Sequence, residues 1–359
     1  MMAGRRGVVL ELVRRGRART RHDLSEIIGL SRSAVAQTVS ELIAEGVLIE
    51  DSRSHGDGPG RPSTRLRLVS PRGLAGSVHI AHQHVGVALG DLDHGVAGQL
   101  FAPMFADASA ERTLQAAERL LLELVDRHGA RPADLRAVGI GVPFPVVDGV
   151  THPIGDVPAW DGARPADLLG LGGLTEAAIV VENDANMAAW GEFVQAGENL
   201  QNLVYLQVGD GVGAGMIIDG RIACGARGLS GEIGHVLVPG CTVPCRCGRF
   251  GCLDALVTLA DESGEPDAVR RAGAALGTVL AHVSSFLDPD LVVLGGTLGG
   301  DPEFFGSAGR VYREASAPSA AALTMAALGR RSVLLGTLDR AVGEAWAEVS
   351  ASGLVRESV

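Results

Sequence analysis

From Gly4 to Leu48, apolar residues recur every three or four positions in three short bouts: GRRGVVLELVRRG, ARTRHDLSEIIGL and SRSAVAQTVSELIAEGVL. Breaks at Gly16 and Gly29 separate three predicted helices, with Thr20 and Ser31 as N-caps and Gly46 as a C-terminal stop. On the third helix Val35, Val39, Leu42 and Ile43 share one face, while Arg32, Ser33, Ala36 and Gln37 begin the other. The next stretch, VLIEDSRSHGDGPGRPSTRLRLV, alternates on both sides of a Gly/Pro loop and predicts the two short strands of a wing. Beyond Pro71 the texture changes to apolar runs that end in glycine: SVHIAHQHVGVALGDLD, LRAVGIGVPFPV, AAIVVENDANMAAWGE, NLVYLQVGDGVGAGMIIDG and DLVVLGG. Helical patterns such as ASAERTLQAAERLLLELVDRHG lie between them, which predicts an α/β architecture with its chemistry in loops at strand ends.

Charge divides the chain at the same place. It contains no lysine; residues 1–75 hold 13 Arg against 8 acids, and the remainder holds 18 Arg against 34. A head of net +5 on a body of net −16 points to nucleic acid at one end only. Helices, wing and charge therefore agree on a winged helix-turn-helix that binds double-stranded operator DNA, in preference to a small bundle that binds another protein. Arg32, Ser33 and Gln37 are placed to face base edges, and Arg61 of the GRP segment to lie along a minor groove. Hydrophobic residues reach 46%, which excludes a disordered chain. The opening segment has a three-residue apolar run, too short for a secretory signal, and no apolar run reaches membrane-spanning length, so a cytoplasmic protein is expected.

Three segments of the body carry candidate chemistry. In VVENDANMAAWGEF, Asn183 and Asp184 fall where a strand enters a helix, either as a helix cap or as groups that bind a ligand hydroxyl. VGDGVGAG, residues 208–215, is a glycine loop that either approaches a phosphate or turns a hairpin. GLSGEIGH then supplies Glu232 and His235, and the latter runs into GCTVPCRCGRFGC. His235, Cys245, Cys247 and Cys252 have the spacing H-x9-C-x-C-x4-C. Three thiolates and an imidazole make a soft, closed tetrahedral set, so one structural zinc per chain is expected, with no open position for an activated water. Cys224 and Cys241 are left as ordinary thiols.

The winged helix with GRP, followed by VENDAN, VGDGVGAG, GEIGH, CRCGRFGC and DPDLVVLGG, resembles the ROK family of repressors and sugar kinases over nearly the whole chain. The resemblance implies an actin-like, ribonuclease H-like, two-lobed ATPase fold behind the DNA-binding domain. It divides the chain into residues 1–72, a first lobe of 73–185 plus 335–359, and a second lobe of 186–334. It implies that Asn183, Asp184, Glu232 and His235 line a sugar pocket, with Asp254 where the family has a sugar-binding glutamate. His235 would also hold the metal, so that one ring nitrogen on zinc aims the other at the sugar. A homodimer or higher homo-oligomer follows from the same likeness.

The departures bear on catalysis. Where family kinases have a D-x-G-G-T phosphate turn, this chain has HIAHQ, residues 79–83, and Asp210 stands in the second glycine loop. Loss of close backbone approach and of metal positioning, with an added negative charge, predicts that kinase activity is gone and that Asp184 is a vestigial base. Phe144 replaces a glycine in the family's P-G-P. These changes leave three readings: a carbohydrate-responsive regulator, an active sugar kinase, or a regulator that has lost its sugar and answers to a protein partner. His79, His82 and His84, with His94 nearby, form either a second metal site or the remnant of a phosphate site.

Overall fold

The computed structural model describes residues 5–51, 64–69, 73–93, 95–103, 109–155, 157–171, 176–197 and 200–352. Its head consists of α1 (Arg5–Arg14), α2 (Arg21–Ile28), α3 (Arg32–Ala44) and a ribbon of β1 (Leu48–Asp51) paired antiparallel with β2 (Arg65–Leu68). Thr20 caps α2 in a capping box: its hydroxyl accepts from the Asp23 amide, and the Asp23 carboxylate accepts from the Thr20 amide. Ser31 caps α3 through Ala34. Leu24, Val35, Val39, Leu42 and Leu48 are buried together, with Ile43 packed against them. That burial leaves Arg32, Ser33 and Gln37 exposed on the opposite face of α3. Arg61 and the wing loop lie outside the described residues.

The body contains two five-stranded sheets of the same topology. The first uses β3 (Leu74–Ile80), β4 (His84–Asp91) and β5 (Val96–Pro103), then α4 (Ala110–Arg127) and β6 (Leu135–Val142). A small ribbon of β7 (Val146–Val147) and β8 (Val150–Thr151) and the short α5 (Pro165–Leu168) precede β9 (Ala178–Asn183), giving the order β5-β4-β3-β6-β9. α6 (Asp184–Ala196) leads into the second sheet, where β10 (Leu203–Val208), β11 (Val212–Ile218) and β12 (Arg221–Ile222) form its antiparallel part. α7 (Leu253–Ser263) and α8 (Pro266–Leu287) come next, followed by β13 (Leu291–Gly295), α9 (Pro302–Ala315) and β14 (Ala322–Met325). This sheet runs β12-β11-β10-β13-β14, and α10 (Ser332–Ser352) returns the chain to the first sheet. In both sheets a three-strand meander is extended by two parallel strands on its first-strand edge, the duplicated ribonuclease H-like pattern of an actin-like fold. No helix among the described residues is long and apolar enough to cross a membrane.

α6 packs on the second sheet and α10 on the first, so the lobes meet where these helices cross. The crossing is backbone on backbone. A Cβ at Gly336 would stand 1.8 Å from the Met187 carbonyl oxygen, and one at Gly191 would stand 2.5 Å from that of Ser332. Neither space exists, so only glycine permits this approach. Beside it, the buried Glu192 carboxylate accepts from the amides of Ala327 and Leu328 and from the Ser332 hydroxyl at the start of α10. An anion there also suits the positive end of the helix.

Candidate functional site

A cleft of about 610 Å³ opens between the two sheets, at the ends of β3, β6, β9, β10 and β13. Asn183, Asp184, Glu232, His235 and Asp254, far apart in sequence, all line it, as do His79, His82, Gln83 and His84. The polar strand-to-helix junction at Glu182–Asn186 brings Asn183 and Asp184 here. Asn183 is the N-cap of α6: its Oδ1 accepts from the Asn186 amide at 3.1 Å, and its Nδ2 donates to the Phe144 carbonyl at 3.2 Å. Phe144 itself turns inward, 8% exposed, against Trp160 with ring centroids 5.3 Å apart. It therefore crowds one wall while its backbone holds Asn183 in place.

Asp254, at the start of α7, is buried with one of its oxygens committed. Oδ1 accepts from the Val212 amide at 2.9 Å and from Arg246 at 3.0 Å, while Oδ2 lies 3.9 Å from the Cys245 sulfur. Arg246 also donates to the Asp210 carbonyl at 3.3 Å. Placed between two cysteines, Arg246 gave no sequence signal of this role; its guanidinium ties the cysteine-bearing segment 245–252 to the second glycine loop. Burial, with the Asp184 and Asp254 carboxylates nearby, raises Glu232 to about 7. It is thus a carboxyl group able both to donate to and to accept from a hydroxyl near neutrality.

His235 joins the cleft to a second cluster. Its Nδ1 stands 3.7 Å from the Cys245 sulfur, and its Nε2 faces Glu232 at 4.0 Å. The sulfurs of Cys247 and Cys252 are 3.6 Å apart, and the four ligand atoms all lie within 4.8 Å of one another. Zinc–sulfur bonds of about 2.3 Å in a tetrahedron require edges of about 3.8 Å, so this spacing fits a tetrahedral metal ion. The hairpin is folded by bridges at Leu237–Cys252 and Pro244–Phe250, and Gly251, at φ +82°, lies against the Cys241 carbonyl where a Cβ would collide. Cys241 is outside the ligand set. Cys224 sits 3.4 Å from Glu182, and burial beside that carboxylate pushes its thiol up to about 12.

On the opposite wall β3, the turn after it and the first residue of β4 carry three histidines and a glutamine. His79 is 4% exposed, and neither ring nitrogen has a hydrogen-bond partner among the described residues; Asp184 Oδ2 is 3.8 Å from Nε2. His79 and His84 meet edge to face at 5.4 Å, whereas His82 turns to Phe144 at 6.5 Å. The three histidines do not gather into a ligand set; among the described residues only the His235 cluster does. His94 lies outside the described residues. Gln83 Nε2 donates at 2.8 Å to Asp210 Oδ1, so the two turns join directly across the cleft mouth.

The family model described as the ROK family matches residues 78–260. An uncharacterized protein of Sinorhizobium fredii is 28% identical over 320 residues, 82% of this chain and 78% of its own length. The xylose repressor of Caldicellulosiruptor bescii is 27% identical over 69% of this chain, and the match spans 62% of the repressor. N-acetylmannosamine kinase of Yersinia pestis is 30% identical over 41% of this chain and 56% of the kinase, so the match spans under two thirds of either named relative. A solved ROK family transcriptional regulator, a homologue of the E. coli MLC protein, shares the fold at a TM-score of 0.73 and 20% identity. That similarity covers 96% of this chain and 97% of the regulator. A ROK family glucokinase from Streptomyces griseus, solved with glucose and AMPPNP, reaches 0.61 at 24% identity, over 75% and 99%. With the duplicated sheet topology and a family match covering half the chain, the protein belongs to the ROK family.

Proposed function

We propose that this chain is a DNA-binding transcriptional regulator of the ROK family, a repressor that responds to a carbohydrate and has lost kinase chemistry. The observation that carries this reading is the union of an exposed α3 face with a cleft whose phosphate turn is now His79–Gln83, joined to Asp210. Arg32, Ser33 and Gln37 present donors and acceptors to the major groove, and Arg61 is assigned to the minor groove. The division into residues 1–72, 73–185 plus 335–359, and 186–334 is part of the proposal, as is a homodimer that spans two half-sites.

Asp184, Glu232 and His235 offer the carbohydrate a set of donors and acceptors, with Asn183 framing the pocket. Asp254 acts there as the anchor of Arg246 and the glycine loop. The metal is zinc, held by His235, Cys245, Cys247 and Cys252; when bound it supplies a fixed charge and no open coordination site. Held through Nδ1, the His235 ring keeps Nε2 towards the cleft. Asp184 retains the position of a base, but Gln83 and Asp210 occupy the route that a triphosphate would take, and Asp210 opposes its charge.

Selection of bound fragments from genomic DNA by the purified protein, repeated with a panel of sugars and sugar phosphates, tests the reading. A specific operator whose occupancy falls with one carbohydrate is the expected result. Turnover of ATP with any sugar of the panel would establish instead the kinase reading that the N-acetylmannosamine kinase likeness favours. An operator insensitive to every carbohydrate would point to a partner-controlled regulator.

A further inference from the structure

The head packs on the body through α1. Val9, Leu10, Leu12 and Val13 of α1 share a buried core with Leu338, Ala341, Val342 and Trp346 of α10. Within this seam lies a charged cluster. Arg14 donates to Asp339 Oδ1 and Arg15 to Asp339 Oδ2, each at 3.1 Å, and Glu11 accepts from both arginines. The Trp190 indole N–H donates to Asp339 Oδ2 at 2.8 Å, and the Arg15 guanidinium stands 4.3 Å over the same indole. Side-chain exposures of 3% for Arg14 and 8% for Asp339 place this pairing away from solvent, where loss of one partner leaves a costly buried charge.

The position of the cluster gives it a purpose. Trp190 belongs to α6 and Asp339 to α10, and both helices begin at the cleft, α6 at Asp184 and α10 beside the cleft-lining Val333. Six residues, about 9 Å of helix, separate Asp184 from Trp190 and Val333 from Asp339. The helices touch through Gly336, within the second of these stretches, and Gly191, next to Trp190. We infer that Asp339 is a positioning residue that ties α1 to both crossing helices, so that the DNA-binding head follows any shift of the two lobes. The use of this linkage rests on the regulator reading, but the linkage itself needs neither DNA nor sugar to be observed.

Peptide-resolved hydrogen exchange on the full chain tests it. Asp339→Asn keeps the shape and an acceptor for Trp190 but removes the charge; it is expected to speed exchange in Arg5–Arg14 about tenfold, with β3 and β13 within about twofold of native. Gly336→Ala wedges the crossing at Met187 and Gly191, one turn of α10 from Asp339. It is expected to speed exchange in Arg5–Arg14 about threefold in the native background, with no further increase in Asp339→Asn. Gln83→Ala, at the cleft mouth, serves as the perturbation if the wedge prevents folding, and Trp190→Phe if Asp339→Asn does. Native exchange in Arg5–Arg14 after Asp339→Asn overturns the inference, as does native exchange there after Gly336→Ala. Failure to find an operator removes the regulator reading and leaves this result unaffected.

Discussion

The side-chain amide of Gln83 and the carboxylate of Asp210 are joined by a 2.8 Å hydrogen bond between turns 127 residues apart, at the mouth of the interlobe cleft. Phosphoryl transfer depends on backbone donors and a metal poised around the triphosphate. A cleft that closes on itself there, with a carboxylate in it, is expected to bind ATP no tighter than about 1 mM. Calorimetry that returns saturable micromolar binding would be incompatible with this arrangement.

The metal hairpin has little core besides its own ligands, so its fold should depend on the ion. Elemental analysis is expected to give one zinc per chain. Cys247→Ser should release it and lower stability by several kcal/mol, on the order of a large part of a structural zinc site's contribution. Cys241→Ser should retain the metal and melt like the native chain; metal loss there would put Cys241 in the set.

On α3 the exposed and buried faces should separate in their effects. Arg32→Ala and Gln37→Ala are each expected to weaken binding to a selected operator by about 1–3 kcal/mol while leaving the melting temperature unchanged. Val39→Asp should unfold the head, since Val39 is wholly buried. Equal loss of affinity for unrelated duplexes with Arg32→Ala would assign that arginine to phosphate instead of a base.

Acid should loosen the turn that follows β3. Burial lowers His82 below the ordinary histidine value, assisted by Arg246, and burial beside His79 lowers His84. The unfolded chain therefore takes up protons below about pH 6.5 that these folded side chains refuse. Stability is full above that pH and declines as pH falls towards the folded values, at most about 1.4 kcal/mol per pH unit for each histidine. His82→Gln with His84→Gln should flatten that decline in denaturant titrations between about pH 6.5 and 5. An unchanged slope would show that other groups carry it.

How much of this was legible in the sequence follows the range of the interactions. The caps Thr20 and Ser31 act within four residues, and the metal ligands within eighteen, so periodicity and spacing revealed them. The charged joint could not be read: Arg15 and Asp339 are 324 residues apart, and a run of arginines in a basic head looks like a solvated or DNA-facing charge. Asp254 is a similar case. Its place after the last cysteine was visible, but only the fold reveals that the Val212 amide and Arg246 occupy it. The packing of α1 against α10 was likewise invisible in the sequence, since residues such as Val9 and Val342 lie more than 300 positions apart.

The glycine crossing of α6 and α10 sets a limit on how such a molecule can be altered. A contact made of side chains can be tuned in small steps, a methyl group added here and a branch removed there. Where Gly191 and Gly336 press peptide against peptide there is nothing to trim, and the smallest possible addition already collides. The pivot is therefore all or nothing. Adjustments in how strongly the cleft influences the head must be made in the groups around the crossing, those at the helix starts that meet the ligand or the neighbouring Trp190 and Asp339 that grip α1, while the crossing itself stays bare.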